Sequence, residues 1–358
     1  MCIKRTIACA FLFASTLLMA QQQARQPTST SEAPTRDASY IDANGTAHIT
    51  RVVPIPQDLS TEAKKFISEM VPDEAPPESL AMRRSRMEEW AVRANTEWSK
   101  LCPNKIENTK LGGVPVRVVT PDNMRDENRD RILMNLHGGS FNSDSGSYAE
   151  SIPIAGYSGI KVVAVLYRLA PEHTFPAAVD DALAVYQELL KTYRPDHIVV
   201  YGTSAGAVIT AELAVKLKQL SLPMPAALGI FSTLDSFARM GDSYAMFTLR
   251  GLAGHLEPPD SGIHDPYYVG STGPQDPVLS PIYADLRGLP PTLFISSERD
   301  ALLSSTANLH RAFLHAGVDA RLVVFDALPH AFWYHSELPE SIEANHMMAD
   351  FFLAHLPR

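Results

Sequence analysis

Five residues, Gly202-Thr203-Ser204-Ala205-Gly206, constrain this chain more than any others. The stretch before them, Ile198-Val199-Val200-Tyr201, is apolar and β-branched, as a buried strand requires. The stretch after them, Ala207 to Leu217, is rich in helix formers. A serine at a strand-to-helix junction, with glycines two positions to either side, has the pattern of a nucleophile elbow. The turn is so sharp that only very small flanking residues fit. It strains the serine backbone and pushes Oγ above the sheet edge. The first N–H groups of the following helix then face the place where negative charge would develop. A glycine-rich turn with a bystander serine meets the same pattern, so the rest of the chain has to decide.

The remainder alternates strands and helices. Strands are expected at Val114 to Val119, Arg131 to Leu136, Lys161 to Tyr167, Ala226 to Phe231, Thr292 to Ile295 and Arg321 to Phe325. Amphipathic helices are expected at Ala177 to Tyr193, Leu303 to Ala316 (closed by Gly317) and Glu340 to Leu356. This order predicts an α/β fold: a mostly parallel central sheet with helices on both faces. Residues 236–273 break the rhythm with several Gly and Pro and read as an insertion over the sheet edge. Upstream, Ser60 caps a helix running to about Met70, and a second helix spans Glu78 to Ser99. Leu80, Met87, Trp90, Ala91, Ala94 and Trp98 form its apolar stripe, which would pack as part of a lid. Residues 40–100 are therefore assigned to an N-terminal cap segment and 101–358 to the catalytic domain. Asn44-Gly45 marks a hairpin within the former.

The chain begins with a basic Met1 to Arg5, an apolar Thr6 to Ala20 and then Gln21-Gln22-Gln23. That is the layout of a secretory signal peptide over residues 1–20, followed by a polar linker over 21–39. It implies a secreted or periplasmic protein without a membrane span after cleavage. An uncleaved N-terminal anchor is the alternative. Of three cysteines, Cys2 and Cys9 fall in the leader, so Cys102 alone would remain and no internal disulfide can form. No Cys/His spacing suggests a metal site, and no cofactor is implied. The formal net charge is -9, and the one basic cluster, Arg83-Arg84 with Arg86, reads as a solvated helix face. Nucleic acid is therefore excluded as a partner.

Acyl transfer needs a nucleophile, a base, a carboxylate to orient the base, and N–H donors for the oxyanion. Ser204 supplies the first. His137-Gly138-Gly139-Ser140 directly follows a strand, and its glycines leave the backbone open to a substrate. Gly138 and Gly139 N–H, with Ala205 N–H, are the expected oxyanion hole. The acid and base should follow the nucleophile in that order, each after a strand. Asp300 and His330 meet this requirement, with Glu298 and Asp326 as competing carboxylates. Phe141 and Tyr148 either line a substrate pocket or pack their loop.

Several motifs occur together and in order: His137-Gly138-Gly139-Ser140; Tyr167-Arg168-Leu169-Ala170-Pro171-Glu172-His173; Gly202 to Gly206; Asp276-Pro277 with Ser280-Pro281; Asp300-Ala301-Leu302; His330-Ala331-Phe332. From about Val114 to the C-terminus the chain thus resembles the hormone-sensitive-lipase-like esterases of the α/β-hydrolase fold, in the branch with Thr before the nucleophile. The resemblance implies Ser204 as nucleophile, Asp300 as acid and His330 as base. It also implies oxyanion donors from Gly138, Gly139 and Ala205, a helical cap, and a homodimer. Three positions depart from the family's common pattern: Ser140 where a third glycine is usual, Thr203 where Asp is frequent, and Ser304 where a second Asp is frequent. The expected function is a serine carboxylesterase acting on small-molecule esters with short- to medium-chain acyl groups. A lactone or activated-amide hydrolase would use the same groups. A non-catalytic small-molecule receptor on this scaffold would dispense with one of them.

Overall fold

The computed structural model describes residues 38–70, 78–252 and 266–357. The chain divides into two units, one ending at Pro54 and one starting at Ile55. In the first, β1 (Tyr40–Ile41) pairs antiparallel with β2 (Ala47–His48), the hairpin expected at Asn44-Gly45. Asp42 Oδ1 accepts the Asn44 and Thr46 N–H groups, and Gly45 takes the left-handed turn position at φ +85°. The signal peptide read over residues 1–20, and all but the last two residues of the linker, lie outside the described residues.

The second unit begins with two helices, α1 (Thr61–Ser68) and α2 (Leu80–Leu101). Ser60 and Ser79 cap them, each accepting a backbone N–H three residues on. Then come β3 (Asn104–Leu111), β4 (Val114–Pro121), β5 (Ile132–Leu136), α3 (Ser151–Ser158), β6 (Val162–Val165) and α4 (Ala177–Leu189). Next are β7 (Ile198–Thr203), α5 (Ala205–Gln219), β8 (Ala227–Phe231), and the short α6 (Asp242–Met246) and α7 (Pro266–Val269). The chain closes with β9 (Thr292–Ser297), α8 (Leu303–His315), β10 (Ala320–Phe325) and α9 (Pro339–His355). Residues 253–265, the middle of the expected insertion, lie outside the described residues.

Eight strands make one sheet in the order β10-β9-β8-β7-β5-β6-β4-β3. The first six of these run parallel, while β4 is antiparallel to both β6 and β3. Besides the short α6 and α7, two elements have no counterpart among those expected from the sequence. Strand β3 is an edge strand with mostly exposed side chains, so Asn104 to Leu111 shows no apolar alternation. Helix α3 carries Pro153 and Gly156 and is buried nearly all round, which removes the amphipathic signal.

Alternate side chains of the central strands feed two cores. Ile132, Met134, Ile198, Val200, Leu228 and Ile230 pack with α4, α5 and α8. Leu133, Val199, Tyr201 and Phe231 pack on the other side with α2, α3 and α9. Asn135 breaks the apolar run of β5, yet it is fully buried. The parallel strands all end at the same edge of the sheet. The functional candidates follow them there: His137 after β5, Ser204 after β7, Asp300 after β9 and His330 after β10. No helix among the described residues is long and apolar enough to cross a membrane.

Candidate active site

The elbow has the geometry its glycines require. A Cβ on Gly206 would lie 1.8 Å from the Leu136 carbonyl oxygen, and one on Gly202 only 2.3 Å from the same atom. A larger residue would push the end of β7, at Gly202, or the start of α5, at Gly206, away from β5. Ser204 itself adopts φ 57° and ψ -121°, a conformation that costs an L-residue about 1–3 kcal/mol. Its N–H donates to Phe231 O at 2.9 Å and to Ser232 O at 3.1 Å, and these bonds hold the strained turn against the end of β8.

The acid and the base meet over that same strand end. His330 Nδ1 lies 3.1 Å from Asp300 Oδ1, and Asp300 is wholly buried. Asp300 Oδ1 also accepts Leu302 N–H, and Oδ2 accepts Ser296 Oγ–H at 3.1 Å. Burial by itself would raise the Asp300 pKa. The nearby His330 charge and the hydrogen bonds from His330, Ser232 and Leu302 outweigh burial and hold the carboxyl below its ordinary value. Asp300 is therefore a carboxylate at neutral pH. Of the competing carboxylates, Glu298 shares a hydrogen bond with Asp326, which together with burial raises its pKa.

Ser232 was not singled out in the sequence, yet it touches all three of these residues. Its carbonyl accepts the Ser204 N–H, and its Oγ lies 2.5 Å from Asp300 Oδ2 and 2.7 Å from His330 Nδ1. A carboxylate can only accept, so the hydroxyl proton goes to Asp300. The free lone pair of Oγ is then the acceptor for His330 Nδ1–H. That proton is shared between Ser232 Oγ and Asp300 Oδ1. This fixes the tautomer and leaves Nε2 as the basic nitrogen. Nε2 has no hydrogen bond among the described residues; nucleophile–base bonds of this kind tighten when substrate binds. The one sequence signal for Ser232 was its place directly after an expected strand.

The oxyanion loop differs from expectation at one amide. Gly138 N–H donates to Glu150 Oε1 at 2.9 Å, so it is already engaged. The N–H groups of Gly139, Ser140 and Ala205 have no hydrogen-bond partner among the described residues. Gly138 still lies beside the nucleophile: a Cβ there would be 3.5 Å from Ser204 Cβ. His137 stacks on Tyr167 at 4.2 Å and holds its own loop through Nδ1 to Gly138 O at 2.9 Å.

Phe141 is a packing residue: it is 4% exposed and stacks on Tyr268 at 3.7 Å. Tyr148 is half-buried beneath the Arg117 guanidinium, 4.3 Å from its ring centre. The Arg83-Arg84 pair is not a solvated face. Arg84 donates to Asn142 O, Ala170 O and both oxygens of Glu172, while Arg83 reaches Asn142 Oδ1 and Ser140 Oγ. Helix α2 is thereby tied to the loop that follows the two glycines. Ser140 provides a hydroxyl for Arg83 where a glycine would provide none. Thr203 Oγ1 accepts the Trp333 indole N–H at 3.1 Å, in a site with no exposure. Ser304, in place of a second Asp, exchanges two hydrogen bonds with Ser243. Among the described residues no cluster of His, Cys, Asp or Glu could hold a metal ion.

Comparison with known proteins agrees with this geometry. The family model for the alpha/beta hydrolase fold matches residues 133–334. An acetyl-hydrolase of Streptomyces hygroscopicus is 34% identical over 221 residues, covering 60% of this chain and 72% of that protein. An esterase of Acinetobacter venetianus is 29% identical over 225 residues, covering 62% and 74%. The crystal structure of an esterase E25 superposes with a TM-score of 0.78 at 30% identity, covering 88% of this chain and 100% of that one. An esterase from the bacterial hormone-sensitive lipase family superposes at 0.70 with 29% identity, covering 83% and 99%. With the matched family spanning the elbow, the oxyanion loop and the base loop, the chain belongs to the α/β-hydrolase family, among its hormone-sensitive-lipase-like esterases, and is a carboxylic ester hydrolase.

Proposed function

We propose that this protein hydrolyses esters with short- to medium-chain acyl groups through a covalent acyl-enzyme on Ser204. Ser204 Oγ attacks the ester carbonyl while His330 Nε2 takes its proton. The C–O π pair moves onto the carbonyl oxygen to form the tetrahedral oxyanion. Collapse expels the alcohol, which receives the proton back from His330, and leaves the acyl group on Ser204. Water, deprotonated by the same imidazole, then attacks the acyl carbon and releases the acid and free Ser204. Asp300 and Ser232 hold Nδ1–H throughout, so the imidazolium forms already paired. Gly139, Ser140 and Ala205 N–H receive the oxyanion, with Ser140 in the place the sequence pattern assigns to Gly138, and the N-terminus of α5 adds its dipole.

One observation carries this reading: the shared His330 Nδ1 proton, held by a buried carboxylate and by Ser232, beside a nucleophile in a strained turn. The acetyl-hydrolase name of the Streptomyces relative supports the short end of the acyl range. Phe141 supports it too, because its ring, which follows the oxyanion loop directly, is packed against Tyr268 and Phe237. The leader pattern of residues 1–20 supports export. A series of p-nitrophenyl esters from acetate to laurate tests the function. The expected kcat/KM is highest between acetate and hexanoate and is abolished in Ser204→Ala. A maximum at laurate would refute the acyl range, and an active Ser204→Ala would refute the mechanism.

A further inference from the structure

Glu150 is the buried carboxylate that the mechanism leaves unused. It is 3% exposed and sits just before α3, on the side of the sheet that receives Asn135. Three donors converge on it: Gly138 N–H at 2.9 Å and Tyr334 Oη–H at 2.5 Å on Oε1, and Asn135 Nδ2–H at 2.7 Å on Oε2. The fit is close, since a Cβ on Gly146 would fall 1.8 Å from Oε1. Burial pushes the carboxyl up to about 7 against the pull of those donors. An ionisable group kept in such a place is costly to the fold, and an apolar side chain of the same volume would fill the space without that cost.

What Glu150 does follows from peptide planarity. In a trans peptide the N–H of one residue points opposite to the C=O of the residue before it. Gly138 O accepts Ser145 N–H and Gly139 O accepts the Asn142 and Ser143 N–H groups, so the Gly139 and Ser140 amides are turned away from those partners. The first plane of the series, His137 to Gly138, is held by Tyr167 Oη–H on His137 O and by Glu150 on Gly138 N–H. Tyr334, the other donor to Oε1, stands four residues after His330. One carboxylate oxygen thus joins the start of the oxyanion loop to the loop of the base.

We propose that Glu150 is a positioning residue for ester hydrolysis: as a hydrogen-bond acceptor it engages Gly138 N–H and sets the angle at which the Gly139 and Ser140 amides meet the oxyanion. The inference rests on the acyl-enzyme reading above. Its test separates acceptor chemistry from packing. Glu150→Met keeps the volume and removes both acceptors. Glu150→Gln keeps one acceptor oxygen, enough for Gly138.

The measurements are kcat and KM for p-nitrophenyl acetate, and Ki for an alkyl trifluoromethyl ketone, whose hydrate or hemiketal carries the oxyanion. Losing one oxyanion donor outright costs about 100- to 1000-fold in rate. A misdirected pair of donors should cost about 10- to 100-fold by the same reasoning. Glu150→Met is expected to lose that in kcat with KM within about twofold, and Ki should rise by the factor that kcat/KM falls. Glu150→Gln is expected to recover most of the loss. Unchanged kcat and Ki in folded Glu150→Met would overturn the proposal, as would Glu150→Gln falling as far as Glu150→Met. If Glu150→Met does not fold, Tyr334→Phe decides. Removing the second donor to Oε1 should lower kcat and weaken the ketone together; no change in either overturns the proposal. Wild-type protein that ignores the ketone, yet still hydrolyses the ester, would refute the acyl-enzyme reading instead.

Discussion

Ser232→Gly removes a hydroxyl that bridges the acid and the base, and it does so with little damage to the fold. Ser232 sits at φ +51°, in the left-handed region where glycine carries no steric penalty. The relief is about 1–2 kcal/mol, offset in part by about 0.5–1 kcal/mol of extra chain entropy in the unfolded glycine variant. Asp300 keeps donors from Ser296, Leu302 and His330, so no buried charge is orphaned. What is lost is the Ser232 donor to Asp300 Oδ2 and the 2.7 Å acceptor on His330 Nδ1, which leaves the imidazole only the 3.1 Å contact to Asp300 Oδ1. A hydrogen bond to a charged group is worth about 1.5–3 kcal/mol, and here the charge on the imidazole develops in the transition state. At about 1.4 kcal/mol per decade, the loss corresponds to about 10- to 100-fold in kcat. Steady-state hydrolysis of p-nitrophenyl acetate should show that fall with KM within about twofold. Ser232→Ala should fall at least as far, since it keeps the strained φ and loses the same oxygen. A kcat within twofold of wild type in both folded variants would refute the claim that Ser232 orients the base.

Thr203→Val keeps the shape of a buried side chain but orphans the Trp333 indole N–H; urea unfolding should show a loss of about 1–3 kcal/mol. Trp98 is fully buried and donates to Tyr334 O at 2.9 Å, so Trp98→Phe should cost about 2 kcal/mol by the same assay, through the lost bond and the space left behind. Glu150 binds its proton more tightly in the folded chain, at about 7 against an ordinary 4.5. Stability should therefore fall as pH rises through that window, by about 3 kcal/mol for the group. Glu150→Gln should remove this component, so its stability relative to wild type should improve between pH 5 and pH 8; parallel pH profiles would contradict it.

The parts of the fold that were legible are those where one local rule decides. Gly202 and Gly206 follow from the closeness of Leu136 O, and a glycine pair around a serine announces that closeness. The central strands show as apolar runs because both faces of the sheet are covered. Strand β3 did not show, because an edge strand facing solvent gains nothing from apolar alternation. The site was legible as a list and not as a network. Ser232 meets His330 across 98 residues and Glu150 meets Tyr334 across 184, and no local pattern encodes such a meeting. For the same reason the sequence offers Gly138 as an oxyanion donor: its glycine character is visible, while the carboxylate that takes its N–H comes from a different loop. Arg83 and Arg84 show the converse error. Charge on a helix suggests solvent, but Arg83 bonds a hydroxyl and an amide oxygen, and Arg84 two backbone carbonyls and a carboxylate, all on the loops beside the helix. Asn135 was the one overlooked signal, a polar residue inside an apolar strand that pointed to a buried polar network.

The central claim is that Ser204 attacks as a nucleophile with His330 as its base. Reaction with a p-nitrophenyl alkylphosphonate, followed by peptide mass mapping, tests it most directly. The claim predicts one stoichiometric phosphonyl adduct, on Ser204, formed with release of one p-nitrophenol and nearly lost in His330→Ala. An adduct on another residue, or an unlabelled Ser204 in protein that still hydrolyses esters, would contradict it.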